Sequence, residues 1–266
     1  MAKKLCCLIL VLSFCFAAGC AVNPITGEEE LMLFPESQDV QLGKKYAPQV
    51  EKEMGGKIPD PALQEYIDRV GQKIVRVSHR RNFEYHFVAL NDKSVNALAL
   101  PGGYIYITKG LLKKLTTEAQ LAAILGHEVT HVVARDVSAA ISREMGIGIL
   151  LSAATYGKTP RAAMVAANLT RQLLGLRFSR KDEQEADIGG LDYMVRAGYN
   201  PYGMVETMQI LQNLQKSRPV EFFSTHPNPE NRIEYLTEEI EVVYPNLQGR
   251  KTGADDYQTN VLTRLR

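Results

Sequence analysis

The chain has 266 residues, 31 Lys and Arg against 30 Asp and Glu for a formal charge of +1, and 45% hydrophobic residues. This near balance excludes the basic surplus that draws a protein to nucleic acid, and the apolar content is that of a globular domain rather than a disordered chain. Of the four cysteines, Cys6, Cys7 and Cys15 lie in the first apolar segment, so a chain processed there keeps Cys20 alone, forms no internal disulfide and relies on its core for stability.

Lys3 and Lys4 precede an apolar run from Leu5 to Ala18, which has the charge and length of a secretory signal rather than of a full membrane span. The run closes on AAGC, which resembles the bacterial lipobox, although Ala17 stands where a leucine is usual. The expectation is a signal peptide over 1–19 and a lipid anchor on Cys20. Ala21, rather than an aspartate, follows the cysteine, and the resemblance to enterobacterial lipoproteins then implies the periplasmic face of the outer membrane. Residues 20–38 read as a lipidated N-terminus and a linker that docks on the domain, since Asn23 to Gln38 mixes turn residues with a short apolar patch. Two amphipathic helices come next. One runs from about Glu36 to Met54 and is stopped by Gly55 and Gly56; the other runs from Pro61 to about Val77, with Leu63, Ile67, Val70, Ile74 and Val77 at helical spacing.

Phe83, Tyr85 and Phe87 alternate with Glu84, His86 and Val88, which predicts a strand followed by a turn at Asn91 and Asp92. His79 and His86 need no metal to explain them. From Val95 to Thr108 a β-rich run is broken by Pro101, Gly102 and Gly103, which suits an edge strand or bulge approached closely by another backbone. Two readings stand: Leu100, Pro101, Gly102 and Gly103 form an edge for an extended peptide substrate, or they form an ordinary structural turn.

TEAQLAAILGHEVTHVVARD, from Thr117 to Asp136, carries a helical apolar pattern of Leu121, Ile124, Leu125, Val129 and Val132. Thr117 and Gln120 have the spacing of a capping box at its start. His127 and His131, four residues apart, leave one helical face together. Between them stands Glu128, a carboxylate that costs several kcal/mol to bury without a partner. H-E-x-x-H removes that conflict: the imidazoles ligate one zinc ion per chain, and Glu128 faces a water that the metal acidifies. This is a hydrolase arrangement.

Met145 to Thr155 is apolar but too short to span a bilayer, and reads as a buried or membrane-facing helix; Ala162 to Leu176 is a further helical run. No histidine follows His131 until His226, so a third zinc ligand must come from elsewhere. SRKDEQEAD, from Ser179 to Asp187, opens a helix with Glu183 and Asp187 on one face and Glu185 turned about 160 to 200 degrees away. Glu183 is the preferred ligand. Asp187, one turn on, is placed to accept the free N–H of a ligating imidazole. By itself the run also reads as solvated charge at a helix N-terminus. Asn200 and Pro201 separate this helix from another at about Tyr202 to Gln215; Pro227 and Pro229 stiffen a loop before a last amphipathic helix, and the closing stretch from Gln248 to Asp256 is polar and reads as loose.

HEVTH followed by SRKDEQEAD, with Asn96 to Leu112 (NALALPGGYIYITKGLL) upstream and Ser224 to Ile233 (STHPNPENRI) downstream, resembles the membrane-associated zinc metallopeptidases typified by the CAAX prenyl protease, HtpX and the periplasmic BepA. The resemblance implies His127, His131 and Glu183 as ligands and Glu128 as catalytic acid/base. The expectation is a chain that differs from BepA in having no helical-repeat domain behind the protease, and from the others in having no long transmembrane helices. The expected architecture is α+β and mainly helical, a gluzincin-like metallopeptidase domain over 39–248 with a small sheet bordering the active-site cleft, and a tail over 249–266. The expected function is hydrolysis of misfolded or stalled envelope proteins, with outer-membrane assembly components as partners; the alternative is a lipid-anchored chaperone or assembly factor with a structural zinc. His226, in the family-like HPxxxxR pattern with Arg232, has three readings: a fourth ligand that keeps the enzyme latent, an oxyanion stabiliser, or a cap on the final helix.

Overall fold

The computed structural model describes residues 20–144, 169–217, 219–228 and 231–266. The signal segment, the apolar stretch Met145 to Thr155, residues 162–168 of the run from Ala162, and Pro229 fall outside the described residues. A hairpin of β1 (Cys20–Val22) and β2 (Glu29–Leu31) comes first, followed by helices α1 (Glu36–Glu53) and α2 (Pro61–Val75). Strands β3 (His86–Leu90), β4 (Ala97–Leu100) and β5 (Tyr104–Thr108) then form a small sheet. Helices α3 (Glu118–Ala134), α4 (Arg180–Arg196), α5 (Tyr202–Gln215) and α6 (Arg232–Val243) complete the main framework. No helix among the described residues is long and apolar enough to cross a membrane.

Every residue of α3 is buried. A helix apolar on all sides needs neighbours on all sides, and α2, α4, α5 and the sheet supply them. Its start is capped by Thr117, whose Oγ1 accepts from the Gln120 N–H at 3.2 Å, as the sequence predicts. The reciprocal half of the box is displaced by one residue: Gln120 Oε1 accepts from the Thr116 N–H, at 2.7 Å, rather than from Thr117.

The sheet order is β3-β5-β4, with β5 parallel to β3 and antiparallel to β4, so β4 is an outer strand. Alternation sends Phe87, Ala89, Ile105 and Ile107 to the main core, and Val88, Leu90, Leu98, Leu100 and Tyr106 to a second cluster with Ala47 and Val50 of α1. The first strand begins at His86, later than its aromatic alternation predicts. Phe83 and Tyr85 instead form an aromatic ladder with Phe87, at ring spacings of 5.7 and 6.2 Å.

The close backbone approach expected at Pro101 to Gly103 exists, but α1 makes it. A Cβ on Gly43 would lie 2.0 Å from the Pro101 carbonyl oxygen, and one on Gly102, at φ 79°, would lie 2.8 Å from that of Asp39. Leu100, Pro101, Gly102 and Gly103 are all buried, with Pro101 and Gly102 against α1 and Gly103 against the Glu84 backbone.

The chain end also differs from the loose tail expected. The Thr252 and Gly253 carbonyls accept from the Ala119 and Glu118 N–H groups, at 3.0 and 3.2 Å, and so satisfy donors that a helix start leaves unpaired. The buried Glu118 carboxylate accepts from Tyr199 Oη at 2.7 Å, Tyr66 Oη at 2.8 Å and Lys251 Nζ at 3.0 Å. Tyr257, Val261 and Leu265 enter the main core. The polar stretch is thus a strap over the start of α3, and the folded domain extends through it.

α3 and α4 meet backbone to backbone. A Cβ on Gly190 would sit 2.7 Å from His127 N, and one on Gly126 would sit 2.9 Å from the Gly190 carbonyl oxygen. Gly190→Ala is therefore expected to push the helices apart and to destabilise the fold by about 1–3 kcal/mol, read as a lower urea midpoint. An unchanged midpoint would show that the contact is slack.

Candidate metal centre

The glycine contact between α3 and α4 sets how far side chains on the facing turns reach. Asp187 of α4 places Oδ1 2.9 Å from Nδ1 of His127. Asp136 places Oδ2 2.6 Å from Nδ1 of His131. Each carboxylate accepts an N–H, which assigns the proton of each neutral ring to Nδ1 and the lone pair to Nε2. The two Nε2 atoms face each other 3.1 Å apart. Two lone pairs so placed repel unless a cation lies between their directions.

Glu183 closes the same space, with Oε1 3.5 Å from His131 Nε2 and Oε2 3.6 Å from His127 Nε2. His226 joins from the loop after Thr225: its Nδ1 is 2.8 Å from Glu183 Oε1 and 3.3 Å from His127 Nε2. One donor atom from each of His127, His131, Glu183 and His226 lies within 4.8 Å of the others, and all four residues are buried. Converging imidazole nitrogens and a carboxylate suit zinc in both ligand type and number.

Glu128 is wholly buried, and neither of its carboxylate oxygens has a hydrogen-bond partner among the described residues. Its Oε1 lies 3.7 Å from His226 Nε2. A lone carboxylate with no donor is costly in an apolar interior, so this orphan points to a cation beside it. His226 stacks on Phe222 at 4.3 Å between ring centres, and His131 stacks on Phe178 at 4.1 Å, which holds both rings in place. Electrostatics differ between the two rings: burial opposes charge on His131, but its bonds to Asp136 and Glu183 hold its pKa well above the ordinary imidazole value, so a metal there would have to displace that proton. Burial opposes charge on His127 and lowers its pKa, despite the bond to Asp187. Burial also opposes charge on Glu183, but the surrounding imidazoles win and hold its pKa well below the usual carboxylate value. Burial pushes the Asp136 carboxyl up to about 7, against the hydrogen bond from His131.

Asp136 is the site residue that sequence reading missed. Arg135 ends α3 in the left-handed conformation, at φ 63°, and the chain doubles back so that the next residue meets His131. Arg135 is fixed in turn, donating through Nε to Asp39 at 2.6 Å and through Nη2 to the Phe34 carbonyl at 2.8 Å. The available signal was an acid just beyond the end of a helix and five residues after a ligating histidine. Arg232 and Tyr235 also reach the site, both donating to Asp187.

Glu185, His79 and His86 lie outside the donor cluster. Glu185 accepts from Asn23 at 3.1 Å and pairs with Lys181 at 3.5 Å. His79 bonds the Tyr193 hydroxyl at 2.7 Å, and His86 stacks on Tyr104. Leu100, Pro101 and Gly102 line a cavity of about 10 Å³ together with His131 and Arg135. Cys20 opens β1, whose following loop is tied to α4 through Asn23 and Glu185.

From this geometry, Glu183→Ala should abolish tight zinc binding and Glu185→Ala should leave it intact. Asp187→Ala and Asp136→Ala should each weaken binding by about 10 to 100-fold by freeing one imidazole. Chelator competition measures all four, and zinc retained by Glu183→Ala would contradict the ligand set.

Comparison with known proteins agrees with this geometry. The family model of Peptidase family M48 matches residues 61–240. The chain is 32% identical over 234 residues to the beta-barrel assembly-enhancing protease of Escherichia coli strain K12, covering 82% of this chain and 47% of that protein. It is 28% identical over 236 residues to the mitochondrial metalloendopeptidase OMA1 of Arabidopsis thaliana, covering 87% and 47%, and 32% identical over 197 residues to OMA1 of Schizosaccharomyces pombe, covering 72% and 56%. The chain thus spans about half the length of the curated relatives it matches. The matched region carries HEVTH and the Glu183 helix, and the chain belongs to peptidase family M48, a family of zinc metallopeptidases.

Proposed function

We propose that the protein is a zinc-dependent endopeptidase of the bacterial cell envelope that cleaves misfolded or stalled envelope proteins. The observation that carries this reading is the buried orphan carboxylate of Glu128 beside the converging donors of His127, His131 and Glu183. In this reading those three residues hold the metal, while Asp187 and Asp136 fix the imidazole tautomers. Bound zinc supplies Lewis acidity toward a peptide carbonyl and the attacking water. Glu128, with no other partner for its oxygens, takes a proton from that water and returns it to the leaving amine. The relatives named beta-barrel assembly-enhancing protease support a setting in outer-membrane protein assembly, with assembly components as partners. Cys20 is the proposed lipid anchor, and the periplasmic face of the outer membrane the proposed location.

His226 acts as a restraint in this proposal. Its Nδ1 stands among the donors while its Nε2 faces Glu128, so the ring lies between the metal position and the base. A peptide carbonyl has to displace it. The same observation favours a second reading, since a fourth protein donor makes the site resemble a closed, structural zinc of a chaperone or assembly factor.

Glu128→Gln separates the two readings: zinc content should be retained and casein cleavage lost, whereas equal cleavage by both proteins would favour the scaffold. His226→Ala should raise proteolysis if the ring blocks the site; a fall in kcat of about 10²-fold would assign it instead to oxyanion stabilisation. Cys20→Ser should release the protein from the membrane fraction without loss of purified activity. Persistent membrane binding would move the anchor to the apolar stretch near Ile147 to Ala154.

A further inference from the structure

Arg232 is the largest of the fully buried side chains, and a permanently charged guanidinium is the most expensive group to bury without compensation. It lies against the two acids of α4 that face the metal centre. Its Nη2 donates to Asp187 Oδ1, the same oxygen that accepts from His127 Nδ1. Its Nη1 faces Glu183 Oε2 at 3.4 Å, and neither of these two atoms has a hydrogen-bond partner among the described residues. Tyr235, three residues along α6, donates to the other Asp187 oxygen.

We infer that Arg232 is a positioning residue for the metal centre, holding Glu183 toward the zinc position and Asp187 on the ring of His127. The inference rests on Glu183 being a zinc ligand. Glu183 and Asp187 are one helical turn apart, both fully buried, and carry like charge. With no cation between them the two carboxylates repel, and either one is free to rotate away from its imidazole. A guanidinium spans both because it is a planar fork with donors on several edges, whereas an ammonium is a compact point charge without that fixed fork. The placement in sequence adds a second consequence. His226 and Arg232 are six residues apart in sequence, and they take opposite oxygens of Glu183: His226 Nδ1 lies on Oε1 at 2.8 Å, and Arg232 Nη1 faces Oε2 at 3.4 Å. Displacing His226 therefore leaves Glu183 held from the other side.

The test measures zinc affinity of the purified chain by chelator competition, together with the absorption spectrum of the cobalt(II)-substituted protein, which reports ligand geometry independently of activity. Arg232→Met should weaken zinc binding by about 10 to 100-fold and alter the cobalt spectrum, and Arg232→Lys should recover only part of the loss. Because Arg232 acts through its acids, Arg232→Met combined with Asp187→Asn should cost clearly less than the sum of the two single effects. If Arg232→Met fails to fold, the folded Arg232→Lys variant decides, and a wild-type affinity and spectrum in that variant overturn the inference. Glu183→Ala, run in parallel, keeps the two claims apart. Loss of zinc there with no effect of the Arg232 variants sinks the positioning role alone, while zinc retained by Glu183→Ala sinks the ligand assignment beneath it.

Discussion

Two buried imidazoles that bring their Nε2 atoms to 3.1 Å of each other are the constraint on which the structure turns. Each ring is held to that orientation by a buried carboxylate on its far nitrogen. A third carboxylate, Glu183, and a fourth, Glu128, whose oxygens have no hydrogen-bond partner among the described residues, crowd the same space. Four buried acids beside one guanidinium are an excess of acidic groups, which a cation at the converging donors would offset in a low-dielectric interior. The metal is therefore part of what makes the interior of α3 and α4 physically consistent.

The scaffold turns that constraint into geometry through a few contacts remote from the donors. Gly126 and Gly190 bring the two ligand-bearing helices to backbone contact, which fixes the reach from one to the other. The left-handed Arg135, pinned by Asp39 of α1, delivers Asp136 to His131. At the opposite end of α3 the closing strap satisfies the free N–H groups and gathers Tyr66, Tyr199 and Lys251 around Glu118. Both ends of the metal-binding helix are thus tied to chain segments distant in sequence, so the histidines sit on a firm element.

What sequence made legible was whatever a local period carries. The apolar stripe and its histidines gave α3, and the spacing of Glu183, Glu185 and Asp187 gave the phase of α4, because both follow from the helical repeat alone. Asp136 was opaque for a different reason, since it depends on a single residue with positive φ, and the contact of Arg232 with Asp187 joins segments distant in sequence that no local period relates. The glycines after Pro101 announced a close backbone approach without saying whose, and the neighbours are α1 at Gly102 and the Glu84 backbone at Gly103. The closing segment read as loose because its composition is polar, yet its polar groups bind the backbone and acid of α3, a pairing no local pattern encodes.

The central claim is that these buried side chains bind zinc through imidazole and carboxylate, and zinc-edge X-ray absorption of the purified protein tests it most directly. The account predicts one zinc per chain with a first coordination sphere of nitrogen and oxygen at about 2.0–2.2 Å, including multiple-scattering features from at least two imidazoles. A zinc-free active protein, or a sphere containing sulfur at about 2.3 Å or lacking imidazole, would contradict it.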